Sequence, residues 1–212
     1  MLELTEIFKS VQGESTYMGL PCVFVRLTGC NLRCVWCDTA YAFQGGKKLS
    51  IDKILEEIKS HGIDLVEITG GEPLMQKEVF PLMDTLLKNN FRVMLETGGS
   101  LSIKDVPAEV IKIIDLKCPG SGEKEKNHWD NLNHLASTDE IKFVITDRAD
   151  YEWSRSTLEK YELDKKSHIL FSPVFDKLPL KDLTEWILED NLPVRLQTQL
   201  HKHIWDKNAQ GV

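Results

Sequence analysis

Hydrophobic positions along this chain switch repeatedly between strand-like runs and helix-like spacing. Residues 22–28 (CVFVRLT) form an apolar, β-branched run that predicts a strand. Residues 51–61 put Ile51, Ile54, Leu55 and Ile58 on one helical face, with Ser50 as N-cap and Gly62 as the stop. Residues 64–69 (DLVEIT) predict a strand that runs into Gly70 and Gly71. A helix is expected over 77–90, with Val79, Phe80, Met83, Leu86 and Leu87 inward. Pro81 lies within that range and moves the expected start toward it, because proline has no N–H to donate. Strands follow at 91–96, 111–116 and 140–145, then a helix over 148–162, a strand at 168–172, a helix over 180–190 and a strand at 193–198. The stretch 97–139 has weak periodicity, and 119–128 reads as a mobile loop.

Strand and helix in alternation predict an α/β fold with a largely parallel sheet and right-handed crossovers. No repeat or Pro/Gly/Ser linker divides the chain, so residues 1–212 are expected to form a single domain. Chemistry in such sheets gathers at the carboxyl ends of the strands, whether the sheet is open or closed. The polar residues of this chain fall at those ends. Cys30 follows the strand at 22–28, Thr69-Gly70-Gly71-Glu72 the next, and Glu96-Thr97-Gly98-Gly99 the third. Asp115, Leu116 and Lys117 end the fourth, and Gln199 and His201 follow the last. Lys142 lies inside the fifth strand and is less clearly placed.

Composition narrows the classes. The 212 residues carry 33 acidic and 26 basic side chains, for a net charge of −7. An acidic chain lacks the Lys/Arg surplus that phosphate neutralisation needs, so nucleic acid is not an expected partner. The first residues show no positive region followed by an apolar core, and no apolar run reaches the roughly 18 residues that span a bilayer. A cytoplasmic protein without membrane attachment is expected. Five cysteines, an odd number, do not suggest a disulfide framework.

Three of them form Cys30-x3-Cys34-x2-Cys37. Thiolates this close can each hold one iron of a cubane cluster, leaving a fourth iron open. A structural zinc site is the alternative; it wants four ligands, so Cys22, Cys118 or a histidine would have to join. Cys22 and Cys118 otherwise read as small buried hydrophobes.

The cysteine spacing, on the loop after a strand, resembles the signature of the radical S-adenosylmethionine (SAM) superfamily. The resemblance implies a modified, incomplete parallel (β/α) barrel. It also implies a [4Fe–4S] cluster on Cys30, Cys34 and Cys37, SAM on the open iron, and a 5′-deoxyadenosyl radical as the reactive species. Trp36 takes the aromatic position that contacts adenine in that family; simple packing over the cluster is compatible. Gly70, Gly71 and Glu72 resemble the family's GGE turn, where backbone carbonyls or the Glu72 carboxylate bind the SAM ammonium; alone, GGEP could be merely a turn. Glu96 resembles a ribose-binding residue, with a loop cap as the plainer reading. Asp115, Leu116 and Lys117 fall on the cofactor side by the same resemblance.

The flanks are more specific. QGE at 12–14, FVRL at 24–27, GCNLRCVWCDT at 29–39, TGGEP at 69–73, ETGG at 96–99, DLKCPGSG at 115–122 and QLHKHIW at 199–205 resemble the 7-carboxy-7-deazaguanine synthases. That implies ring contraction of 6-carboxy-5,6,7,8-tetrahydropterin with loss of ammonia, in queuosine and 7-deazapurine biosynthesis. It implies Mg2+ held in part by Thr39, whose plainer reading is a loop cap. It places substrate contacts on Gln12, Gly13, Glu14, Arg26, Thr69 and His201, and on the terminal carboxylate of Val212. Arg26, a planar fork among apolar neighbours, suits a carboxylate; an internal salt bridge with Glu14 is the other reading. Ser15 stands where many members have glycine, and it either narrows the pocket or forces a negative φ. A flavodoxin- or ferredoxin-type reductant and a homodimer are further implications.

Two other functions fit part of the pattern. A glycyl-radical-enzyme activase shares the cysteine spacing but needs an open peptide groove. A non-catalytic zinc-binding module would not need GGEP or ETGG at matched strand ends. Metal analysis after oxygen-free purification separates the last: about four irons per chain are expected from a cubane, and one zinc would contradict it.

Overall fold

The computed structural model describes residues 1–212. Nine strands form one sheet: β1 (Leu2–Val11), β2 (Pro21–Leu27), β3 (Lys47–Leu49), β4 (Leu65–Gly70), β5 (Arg92–Thr97), β6 (Ile111–Asp115), β7 (Glu140–Ile145), β8 (His168–Pro173) and β9 (Arg195–Leu196). The order is β3-β1-β2-β4-β5-β6-β7-β8-β9. β1 pairs antiparallel with β2 and β3, and every pair from β2 onward is parallel. β3 and β9 are free edges, so the arc is an incomplete barrel, as the family resemblance implies.

Side-chain alternation divides this sheet into two faces. Val23, Val25 and Leu27 of β2, Val66 and Ile68 of β4, Val93 and Leu95 of β5, and Ile141, Phe143 and Ile145 of β7 belong to one core of 34 buried residues. Four helices cover that face: α1 (Ile51–Ser60), α2 (Val79–Lys88), α3 (Arg148–Tyr161) and α4 (Leu180–Glu189). They contribute Ile54 and Ile58, Val79, Leu82, Met83 and Leu86, Tyr151 and Leu158, and Leu183 and Ile187. Each such side chain stabilises the fold by about 1.5–3 kcal/mol on burial.

The opposite face is different. A small apolar plug of Cys22, Phe24, Leu65, Met94, Ile111 and Ile113 fills its amino end. Two residues further along the same strands, the positions become Arg26, Glu67, Glu96 and Asp115. The sheet thus changes from dry to charged along one face, toward the carboxyl ends.

Several expectations change in detail. α2 starts at Val79, two residues before Pro81, which sits in the first turn where no backbone donor is lost. Ser50 caps α1 by accepting from Lys53 N, as predicted. β9 has only two residues of the expected six. β1 shows no clean alternation because a bulge lies between Leu4 and Glu6, which leaves Leu4 and Ile7 on the helix-covered side three residues apart.

The segment 119–128 is not a loose loop. It forms turns of 3-10 helix at Pro119–Ser121 and Lys124–Lys126, with a third at Trp129–Asn133. Asn127 brackets Lys117, accepting from its N at 2.9 Å and donating to its O at 3.0 Å. Asn131 likewise accepts from Ile103 N and donates to Leu101 O. Side-chain amides, rather than periodic apolar residues, fix this connection. No helix is long and apolar enough to cross a membrane.

Candidate active site

A cavity of about 740 Å³ opens at the carboxyl ends of the parallel strands, and residues of β1, β2 and β4 through β8 line it. Cys30, Cys34 and Cys37 reach it from the loop after β2, together with Trp36, Asp38 and Thr39. All three thiols are free; Cys37 is exposed and the other two are half-buried. Burial pushes the Cys30 and Cys34 thiols up, and the nearby Lys117 ammonium opposes that for both. Hydrogen bonds stiffen the loop: Arg33 Nη1 donates to Cys30 O at 2.8 Å and Val35 N to Ser121 O at 3.1 Å. No three His, Cys, Asp or Glu side chains close on one point fit for a single ion. A cubane instead offers each thiolate its own iron.

The surroundings of the cysteines fit a cluster with a bound cofactor. A Cβ on Gly71 would lie 2.1 Å from Gly29 O and 2.9 Å from the Cys30 Cβ, so only glycine lets the β4 turn approach the cysteine loop. Gly70 is equally confined, 2.7 Å from Leu27 O. Asp115 Oδ1 is buried and has no hydrogen-bond partner, while its Oδ2 accepts from Lys117 Nζ at 2.8 Å. An orphan carboxylate oxygen beside a cavity suits a hydroxyl or ammonium donor of a ligand.

Glu72 takes no direct part in the cavity. Its side chain is fully buried and accepts from Leu74 N at 3.0 Å, Thr97 Oγ1 at 2.9 Å and Gly98 N at 2.8 Å. Its own N donates to Gly29 O at 2.8 Å. Of the groups expected at the SAM ammonium, the Glu72 carboxylate instead ties the loops after β4 and β5 together, while its backbone N holds the loop after β2. Burial raises its carboxyl, and the hydrogen bonds oppose that rise. Leu116 is also corrected: its side chain is 1% exposed in the main core, and its N donates to Lys142 O. The other expected residues all line the cavity.

A charged group occupies the centre. Lys142 Nζ donates to Glu14 Oε2 at 2.8 Å and to Glu96 Oε1. Gln197 and Gln199 also donate to Glu14, at 3.1 and 2.9 Å. Burial alone would raise the Glu14 carboxyl, but the Lys142 charge and these hydrogen bonds hold it below the usual carboxylate range. Thr69 Oγ1 donates to Glu96 Oε2 at 3.4 Å. Deeper in the cavity, Glu67 accepts from Gln12 Nε2 and has no cation of its own. Burial, then the charges of Glu96 and Glu14, push its carboxyl well above the ordinary value.

Arg26 does not pair with Glu14. Its Nε donates to Glu6 Oε1 at 2.8 Å, the oxygen that also accepts from Tyr41 Oη. Nη1 lies 3.5 Å from Gly70 O, which leaves guanidinium donors for a ligand. His201, on the short helix α5 (His201–Ile204), packs so tightly on Gly13 that a Cβ there would meet its Nδ1 at 2.1 Å. Lys202 Nζ donates to Asp38 Oδ2 at 2.8 Å, and Gln199 bridges Asp38 and Glu14. The tail from Lys207 to Val212 lines the cavity mouth. Ser15 has φ of 64°, the opposite of the expected sign; its N donates to Gln197 Oε1 at 2.7 Å, and its hydroxyl accepts from Tyr17 N at 3.0 Å outside the cavity lining.

The sequence pattern passed over Glu67, Asp38 and Lys202, and it noted Lys142 inside its strand without giving it a role. For Glu67 and Lys142 a signal existed. Charged residues inside buried parallel strands are rare, because such strands read as continuous apolar runs. Asp38 and Lys202 meet only through the fold.

Glu72→Ala is expected to leave three donors without their acceptor and destabilise the chain by about 3 kcal/mol or more in chemical denaturation, with poorer cluster retention. Unchanged stability and iron content would remove Glu72 from this role.

Comparison with known proteins identifies the family. Residues 24–117 match the Radical SAM superfamily. The chain is 47% identical to the 7-carboxy-7-deazaguanine synthase of Koribacter versatilis, covering 100% of both chains. It is 44% identical to the one of Chlorobaculum tepidum, covering 100% of this chain and 97% of that relative. The crystal structure of QueE from Escherichia coli superposes with a TM-score of 0.78 at 26% identity, over 94% of each chain. The chain belongs to the 7-carboxy-7-deazaguanine synthase family of the radical SAM superfamily.

Proposed function

We propose that the chain contracts the ring of 6-carboxy-5,6,7,8-tetrahydropterin to 7-carboxy-7-deazaguanine with loss of ammonia. The observation that carries this reading is one cavity shared by the cysteine loop and a separate polar group for a small carboxylated heterocycle. When bound, the [4Fe–4S] cluster and SAM supply the 5′-deoxyadenosyl radical that takes a hydrogen from the substrate. The chain's own residues bind, orient and exclude water.

Cys30, Cys34 and Cys37 hold the cluster. Gly70 and Gly71 present backbone to SAM, Trp36 its ring, and Glu96, Asp115 and Lys117 polar groups. Arg26 offers its free guanidinium donors to the substrate carboxylate. Gln12, Glu14, Thr69 and His201 contact the heterocycle, Gly13 lets His201 approach, and the Val212 carboxylate closes the mouth. Thr39 gives its hydroxyl to Mg2+, and the substrate carboxylate and water complete that oxygen shell.

One sheet with strands from residue 2 to residue 196 supports reading residues 1–212 as a single domain. A flavodoxin- or ferredoxin-type reductant would approach near Val35, which lies between Cys34 and Cys37 and is 78% exposed. A homodimer in the cytoplasm completes the reading; reduced thiols suit that compartment. An activase role is not favoured, because the C-terminal residues occupy the mouth that a peptide would enter. A zinc module is not favoured either, since the GGEP and ETGG turns are built around a ligand cavity.

The test is anaerobic incubation with SAM, dithionite, Mg2+ and the carboxytetrahydropterin. Deazaguanine product is expected from the wild type, and its absence overturns the reading. Cys34→Ala should lose the cluster absorbance and turnover together. Arg26→Ala should keep SAM cleavage and lower kcat/KM for the pterin by about 2–5 kcal/mol; unchanged pterin use would take Arg26 out of the site.

A further inference from the structure

A buried lysine is costly unless it is paired, and Lys142, 5% exposed, is paired twice. Its two partners come from different parts of the cavity. Glu14 lies on the loop after β1, beside Gln12, Gly13 and His201. Glu96 is the penultimate residue of β5, beside Thr69 and the Thr97–Gly98 turn that Glu72 ties to the cysteine loop. The packing of β7 does not require this ammonium, because Ile141, Phe143 and Ile145 carry its core face.

We propose that Lys142 is a positioning residue: one ammonium fixes Glu14 on the heterocycle side and Glu96 on the cofactor side, so a single charge sets both half-sites. This assignment of sides rests on the function proposed above. The physical need is clear. Two carboxylates facing one cavity repel, and a third, Glu67, stands beneath them with only the Gln12 amide as partner. Without the ammonium, the glutamates would share a proton or swing apart, and each would lose acceptor strength toward hydroxyl and N–H donors of a ligand. The charged groups around Lys142 are Glu14, Glu67, Glu96, Asp115 and Glu140, with Lys117 as the opposing cation.

The experiment uses cluster-loaded wild type, Lys142→Gln and Lys142→Arg. Equilibrium binding of SAM and of 6-carboxytetrahydropterin is measured separately, with KM, kcat and thermal unfolding alongside. Lys142→Gln should weaken both ligands by about tenfold or more, and Lys142→Arg should recover most of that loss. The loss for the pterin should vanish in a Glu14→Gln background, and the loss for SAM in a Glu96→Gln background. Lys142→Gln should also let the Glu14 carboxyl titrate at higher pH than in the wild type, with pterin binding strengthening as the pH rises through that ionisation. Wild-type affinity for both ligands in Lys142→Gln, or losses that add in the double variants, would overturn the proposal. Should the wild type fail to convert the pterin, the functional reading falls while the SAM cycle between Lys142 and Glu96 still decides the role of the lysine.

Discussion

Glu72, through its buried carboxylate and its backbone N–H, holds the catalytic end of this molecule together. It brings no charge to the cavity. It binds Leu74 N, Thr97 Oγ1 and Gly98 N, while its own N anchors to Gly29 O one residue before Cys30. Three loops from three strands therefore meet at one residue, two through its carboxylate and one through its backbone N–H. The glycines around it are a consequence. Gly71 must have no side chain, because the cysteine loop passes within contact of its backbone. A carboxylate that satisfies backbone N–H groups in a dry site is a strong, directional tie. By fixing the turn from which the Glu72 N donates to Gly29 O, it lets the cysteine loop stay short and still be held in place.

The second constraint is the alternation of the strands. One parity builds a large core beneath four helices; the other builds a small plug and then a charged layer. The break between plug and layer falls at Phe24/Arg26, Leu65/Glu67, Met94/Glu96 and Ile113/Asp115. The cavity floor is therefore set by sequence position rather than by loops. The loops add the variable parts: Glu14 from the first connection, the cysteines from the second, and His201 with the tail from the last. Asp38 links two of these. It lies between Cys37 and Thr39 and accepts from both Lys202 and Gln199, so the cluster loop and the C-terminal segment are braced against each other.

Much of this was legible in the residues. Alternation and helical spacing located seven strands and four helices with boundaries within a few residues. The cysteine spacing and the polar strand ends located the cavity. What was missed has definite causes. β1 carries a bulge that breaks the two-residue period. The segment around 119–133 is fixed by Asn127 and Asn131, whose brackets leave no periodic trace. Glu72 was read as a ligand contact because its position in the turn is visible in sequence, whereas the direction of its side chain is not. Glu67 and Lys142 were visible as charges in apolar strands, but only the fold shows that they face each other's neighbours. Ser15 adopts a left-handed backbone because its N–H reaches Gln197, a partner far away in sequence.

The most direct measurement is an anaerobic crystal structure of the cluster-loaded chain with SAM and the carboxytetrahydropterin. Both ligands are expected in the one cavity, with the substrate carboxylate on Arg26 and its carbon 6 about 3–4 Å from the 5′ carbon of SAM. A pterin seated away from Arg26, or a fourth protein side chain completing the cluster, would contradict that arrangement.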